Sequence, residues 1–92
     1  LLPVQHAERD LHLLRLAKPN YWGYGTLSFF APDARFATGE RGEQVRELKT
    51  AIRALHAAGF EVWIDVVYNH TPESHHEGLV LALRGIDDGL FY

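Results

Sequence analysis

The chain contains no cysteine, which excludes disulfides and thiolate metal sites and leaves the redox compartment undecided. No stretch approaches the roughly 20 apolar residues of a membrane span. The first residues, Leu1-Leu2-Pro3-Val4-Gln5, lack the basic flank and apolar run of a signal peptide. A soluble chain, or part of something soluble, with no membrane partner is expected. Charge of one sign is not concentrated either: 9 basic and 12 acidic residues give a net charge of -3. They are interspersed, without the basic stripe that neutralises phosphates, so nucleic acid is excluded as a partner. Internal repeats and low-complexity tracts are lacking. No Gly-x-Gly-x-x-Gly fingerprint or Gly-Lys-Ser/Thr loop occurs, which disfavours a nucleotide site. With 92 residues, 47% of them hydrophobic, the chain has room for at most one small domain with little core to spare.

What the chain does have is the stretch Phe60-Glu61-Val62-Trp63-Ile64-Asp65-Val66-Val67-Tyr68-Asn69-His70-Thr71, an apolar run ending in a carboxylate, an amide and an imidazole. An ionised carboxylate within such a run is costly unless partnered, so Asp65 is expected to have a cationic or hydrogen-bonding partner. The run's Val, Ile and aromatic content predicts a parallel strand over 60–67, covered on both faces. Before it, Val45, Leu48, Ile52 and Leu55 recur at helical spacing, with Gly59 as the stop, which predicts a helix over 45–58. Residues 20–42 read as a long ordered loop rich in Gly, Pro and aromatics, with a short extended piece over 26–30. A loop of that length is usually functional. Leu11 and Leu14 allow a short helix over 7–16, stopped by Lys18-Pro19-Asn20. Leu1-Leu2-Pro3-Val4 reads as the end of a buried strand without its beginning, and Leu90-Phe91-Tyr92 as an apolar triplet with nothing to pack against, so both ends read as cut.

Strand, helix, strand is an α/β pattern. Parallel units of this kind place functional residues beyond the carboxyl ends of their strands. Tyr21-Trp22-Gly23-Tyr24 follows the first strand and Asn69-His70 the second, so the two clusters are expected on one face. Aromatic faces cover the C–H patches of a sugar ring, while amide, carboxylate and imidazole groups read its hydroxyls. The combination suits a polyhydroxylated ligand.

Asp65-Val66-Val67-Tyr68-Asn69-His70-Thr71 resembles the first conserved region of the α-amylase superfamily of glycoside hydrolases, which closes the third strand of a (β/α)8 TIM barrel. Asn20-Tyr21-Trp22-Gly23-Tyr24-Gly25-Thr26 with Phe29-Phe30-Ala31-Pro32-Asp33 is similar to the isoamylase and glycogen-debranching branch. Leu81-Ala82-Leu83-Arg84-Gly85-Ile86-Asp87-Asp88 is similar to the segment after strand three in the same enzymes. The resemblance runs along essentially the whole chain. It implies that residues 1–92 are a partial catalytic barrel domain: the end of barrel strand two, a long loop, helix two, strand three, and the start of the insertion after strand three. It also implies the roles of individual residues. Tyr24 stacks on the glucose ring at the cleavage subsite, His70 hydrogen-bonds a hydroxyl of that ring, and Trp22 lines the same cleft. Asp65 holds an arginine of the following conserved region, and Asn69 braces the loop at a position that helps bind calcium in many α-amylases. Gly25 and Ser28 stand where many debranching relatives carry asparagine or another larger residue, and Gly89-Leu90-Phe91 replaces a small, polar stretch.

The implied activity is hydrolysis of α-1,6-glucosidic branch points of glycogen or a related α-glucan by a retaining mechanism. That mechanism uses two carboxyl groups roughly 5 to 5.5 Å apart. In the family these groups, and a third carboxylate that positions the sugar, come from strands four, five and seven, so this chain is expected to contribute substrate-binding residues but no catalytic ones, and to be inactive alone. Its partners are then the α-glucan and the remainder of its own barrel, with no cofactor expected other than calcium near Asn69, and a cytoplasmic location by the same resemblance. The alternative is a non-catalytic carbohydrate-binding or interaction remnant of such a barrel, against which an exposed apolar barrel edge argues.

Taken singly, the same residues have plainer readings. Asp65 and Asn69 are also ordinary turn residues, and Tyr21, Trp22 and Tyr24 also serve as packing; the positional match favours stacking for Tyr24 and packing for Tyr21. His56 reads as a surface or core-edge side chain, while His6 and His12 support no argument. His70, Glu73, His75, His76 and Glu77 bear zinc or nickel ligand types without the helical His-x-x-x-His spacing, and a solvated loop is preferred.

Overall fold

The computed structural model describes residues 1–9, 11–39, 41–73 and 78–91. Along the chain it has strand β1 (Gln5–Ala7), helix α1 (Leu11–Arg15), strand β2 (Thr26–Pro32), a 3-10 turn (Ala34–Phe36), helix α2 (Glu43–Ala57) and helix α3 (Arg84–Phe91). The helix expected from Val45, Leu48, Ile52 and Leu55 is present within two residues of its expected bounds. Its end is built as the sequence suggests: Gly59 takes φ +85°, its N–H bonds to His56 O at 3.0 Å, and the Phe60 N–H reaches Leu55 O at 3.0 Å. This pair of bonds satisfies two terminal carbonyls and needs a left-handed residue, which glycine supplies without steric cost. At the other end Gly42 offers no side-chain cap. Glu43 instead accepts from the Arg41 N–H at 2.6 Å, which ties down the residue before the cap.

Residues 7–16 differ from expectation. Ala7 belongs to β1, and the helix covers only Leu11–Arg15. β1 pairs antiparallel with β2, Ala7 opposite Thr26 and His6 opposite Ser28, with irregular register. The extended piece of the long loop therefore supplies a strand edge, and pairing along it takes Ala7 out of the helix. Helix α1 then closes with Ala17 at φ +51°, Ala17 N–H on Leu14 O and Lys18 N–H on Leu13 O, immediately before Pro19.

The strand expected over 60–67 is not formed as a ladder. One parallel bridge is present: the Leu1 ammonium donates to Trp63 O at 2.6 Å and the Asp65 N–H to Leu1 O at 2.9 Å. These two bonds flank Ile64 in the pattern of parallel strands. Val62 and Ile64 are half-buried while Glu61, Trp63 and Asp65 are exposed, so side chains alternate but one face is open, contrary to the expected cover on both. Strand pairing is a property of two segments, and here only Leu1 supplies the second. Residues 1–4 form no regular strand for the same reason.

Among the described residues Pro3 and Ala7 are the only buried apolar side chains, while Phe60, Trp63 and Tyr68 are 63%, 77% and 79% exposed. No α2 residue is buried. The accessible surface is 7278 Å², against about 5,400 Å² for a folded monomer of this mass. The radius of gyration, 15.2 Å, likewise exceeds the roughly 12 Å of a compact domain of this length. The apolar side chains are arranged to pack, but little within the chain covers them. No described helix is long and apolar enough to cross a membrane.

Candidate functional site

Tyr24 is positioned by a turn that begins at Asn20. The Asn20 side-chain oxygen accepts the Gly23 N–H at 3.0 Å, and its amide nitrogen donates to Glu8 O at 2.8 Å. Gly23 has φ +70°, and a Cβ there would lie 3.3 Å from Pro3 O. Both the left-handed backbone and the close approach call for glycine. On the far side of Tyr24, Gly25 O accepts the Glu8 N–H at 2.9 Å. The turn displays an aromatic series: Tyr21 meets Trp22 edge-on with ring centroids 5.5 Å apart, and Trp22 lies 6.2 Å from Tyr24. Tyr24 is 46% exposed and Trp22 58%, so each ring is partly open to solvent.

Beneath the turn sits Asp33, 2% exposed. Its carboxylate accepts the Ala7 N–H at 3.2 Å, and the Arg35 N–H and Nε at 2.9 Å each. Arg35 Nη2 lies 2.9 Å away, and His6 Nδ1 3.7 Å. Burial pushes the Asp33 carboxyl up, but the Arg35 side-chain and backbone bonds and the Ala7 N–H outweigh it and hold the group below its ordinary value. Arg35 Nη1 also reaches Asn20 O at 3.4 Å, which links the buried carboxylate to the aromatic turn.

Tyr24, Asp65, Val66, Val67, Asn69 and His70 line one cleft of about 350 Å³, at the small end of the range of ligand pockets. The structure thus brings Tyr24 together with Asn69 and His70, although neither residues 1–4 nor residues 60–67 form the strand whose carboxyl end was expected to place them. Trp22 is not part of this lining and joins it only through its ring contact with Tyr24. The expected partner of Asp65 is not found: the residue is exposed, and among the described residues its carboxylate makes no hydrogen bond or ion pair. Exposure to water removes the desolvation penalty that called for one. Asn69 and His70 are exposed as well. Tyr68, beside them, packs on Phe29 of β2 with ring centroids 5.4 Å apart.

Calcium takes six to eight oxygen ligands. Asn69 brings one amide oxygen to a cleft whose one acidic lining residue is Asp65, and no group of three His, Cys, Asp or Glu suited to a metal is found among the described residues. Among the described residues, the donors of this cleft do not by themselves make up a calcium site. Of the His/Glu cluster after the cleft, His75, His76 and Glu77 lie outside the described residues. Glu73 is buried and engaged by the backbone: it accepts from Leu81 and Ala82 N–H at 2.9 and 2.8 Å and from Arg84 N–H at 3.2 Å. It closes the segment onto the start of α3.

Curated relatives match the chain along its whole length. It is 50% identical over 93 aligned positions to a glycogen operon protein GlgX homolog of Mycobacterium bovis. Identity is 45% to a glycogen debranching enzyme of Serratia proteamaculans and 46% to one of Yersinia pseudotuberculosis. Each alignment takes in the whole chain. This chain is similar, end to end, to a segment of glycogen debranching enzymes. It spans 13% of the length of the Mycobacterium relative and 14% of the other two. No family model matches it. The names agree with the debranching branch indicated by the Tyr-Trp-Gly-Tyr and Asp-Val-Val-Tyr-Asn-His segments.

Sequence reading did not single out Asn20, Arg35 or Glu73 as structural organisers. Asn20 had a visible signal, an Asn-x-x-Gly turn pattern, whereas the Asp33–Arg35 pair is announced only by Asp two residues before Arg.

Proposed function

We propose that this chain is the part of a (β/α)8 α-glucan hydrolase running from the end of barrel strand two into the insertion after strand three, and that it supplies the substrate-binding wall of a debranching site. The observation that carries the reading is the cleft in which Tyr24, Asp65, Asn69 and His70 meet; the similarity to debranching enzymes supports the choice of ligand. In this reading the Tyr24 ring covers the apolar face of a glucose unit at an α-1,6 branch point, and His70 hydrogen-bonds one of its hydroxyls. Trp22 extends the aromatic wall. The Asp65 carboxylate, exposed within this chain, faces a guanidinium from a later strand, and that partner fixes its position. The nucleophile and the acid of a retaining mechanism come from other strands, so the role of these residues is to orient the sugar for attack. The open apolar edges of residues 1–4 and 60–67 fit neighbouring barrel strands.

The test uses the full-length hydrolase and a branched α-glucan, with reducing ends as readout. Tyr24→Ala and His70→Ala are each expected to lower kcat/KM roughly tenfold or more, the scale of a lost stacking contact or hydrogen bond, with circular dichroism unchanged. Unaltered kinetics in both variants would refute the reading. The 92-residue chain alone is expected to release no reducing ends.

A further inference from the structure

We propose that Asn20 is the positioning residue for Tyr24, acting through the two opposite hydrogen bonds of its side chain; the inference rests on the reading of Tyr24 as a sugar platform. Tyr24 has no bond of its own that fixes its backbone among the described contacts, yet both its neighbours are held. Gly23 is held by its N–H to the Asn20 side-chain oxygen at 3.0 Å. Gly25 is held by its carbonyl to the Glu8 N–H at 2.9 Å. Glu8 in turn gives its carbonyl to the Asn20 amide at 2.8 Å. One planar carboxamide therefore joins the segment before Tyr24 to the segment that holds the residue after it, and closes a ring of backbone around the tyrosine.

The geometry demands asparagine. Aspartate keeps the acceptor for Gly23 but sets a second acceptor against Glu8 O, and alanine removes both bonds. Glutamine carries the amide one methylene further from a backbone that is tied down elsewhere, through Arg35 Nη1 to Asn20 O at 3.4 Å. That last contact anchors the turn to the buried Asp33, so the loss of the Asn20 side chain frees the orientation of the ring without dismantling the strand pair below. The expected functional signature is a loss of productive orientation, not of the fold.

A double-mutant cycle in the full-length hydrolase tests this, with kcat/KM on a branched α-glucan measured for wild type, Asn20→Ala, Tyr24→Ala and the double variant. Asn20→Ala is expected to lower kcat/KM about tenfold, the scale of one to two lost hydrogen bonds, and to have almost no further effect once Tyr24 is alanine. The same factor in both backgrounds would overturn the inference, because a merely structural role ignores the ring. So would an Asn20→Ala enzyme with wild-type kinetics. A harmless Tyr24→Ala overturns the reading of Tyr24 itself and this inference with it, a result distinct from additivity. If Asn20→Ala does not fold, the cycle is run with Asn20→Asp, and the same outcomes decide.

Discussion

Replacing Asp33 by alanine is the perturbation the structure makes most specific. The carboxylate is 2% exposed and holds three donors: the Ala7 N–H, the Arg35 N–H and Arg35 Nε. Arg35 is partly exposed, 39% by side chain, and finds water when its partner is gone, so little of the ion pair's Coulomb energy is lost. The Ala7 N–H has no such recourse. Ala7 is 6% exposed, and an unsatisfied buried N–H costs about 1 to 3 kcal/mol. A central value of about 2 kcal/mol corresponds to roughly thirtyfold faster opening, read as exchange of the Ala7 amide with deuterium. Exchange suits a chain with so small a core, because it reads the bond itself and not global unfolding. Asp33→Asn, which keeps an acceptor, is expected to fall between alanine and wild type. A change below threefold at Ala7 in the alanine variant would refute the reasoning. The pH dependence follows from the depressed carboxyl, whose ordinary value is 3.8. Stability supplied by ionised Asp33 is fully present above that value and is lost as pH falls through the lower, folded value. Protection at Ala7 is therefore expected to be flat from neutral pH down to about pH 5 and to decline only in stronger acid.

Gly23→Ala in the full-length hydrolase forces a Cβ into a left-handed residue 3.3 Å from Pro3 O; a cost of about 1 to 2 kcal/mol is expected to appear as weaker maltooligosaccharide binding by calorimetry. Glu73→Ala removes the acceptor for three backbone N–H groups, so exchange at Leu81, Ala82 and Arg84 is expected to rise together, at least tenfold, while α2 amides stay unchanged. Glu47 is held below its ordinary carboxyl value first by the Thr38 hydroxyl at 2.7 Å and then by the Thr38 N–H; Thr38→Val is expected to return its carboxyl toward that value in a carbon-detected titration.

The parts of this fold that were legible in the sequence are those decided within a few residues. Helix α2 follows from the period of four aliphatic residues and one glycine, all inside a fifteen-residue window, and its end is fixed by bonds from residues 59 and 60 back to 56 and 55. Strand β1 was not legible because its partner lies some twenty residues on, in a segment that reads as loop, and the pairing changes the conformation of Ala7. Residues 60–67 have the composition of a buried strand, yet composition states only what a segment suits. The ladder needs neighbours, and a single bridge through Leu1 is what the chain supplies.

The same distinction governs the site. The meeting of Tyr24, Asn69 and His70 in one cleft was legible, because their residue types are chemical, although the parallel strands expected to carry them are not formed. What holds Tyr24 in place was not legible, since Asn20 works on Glu8 and Gly23 has room beside Pro3 only because it lacks a Cβ. Both features join the aromatic turn to the first eight residues, which the sequence marks as an apolar stub and the start of a short helix. Arranged this way, the turn gains its rigidity from backbone groups of β1 and its flanks, while the side chains of residues 21–24 stay free for a ligand. Under the proposed binding role, substitution at Tyr24 changes what the cleft binds without loosening the loop, whereas substitution at Asn20 or Gly23 loosens the loop and leaves every ring in the sequence. The proposed binding chemistry and the loop geometry then fall to different residues of one five-residue turn.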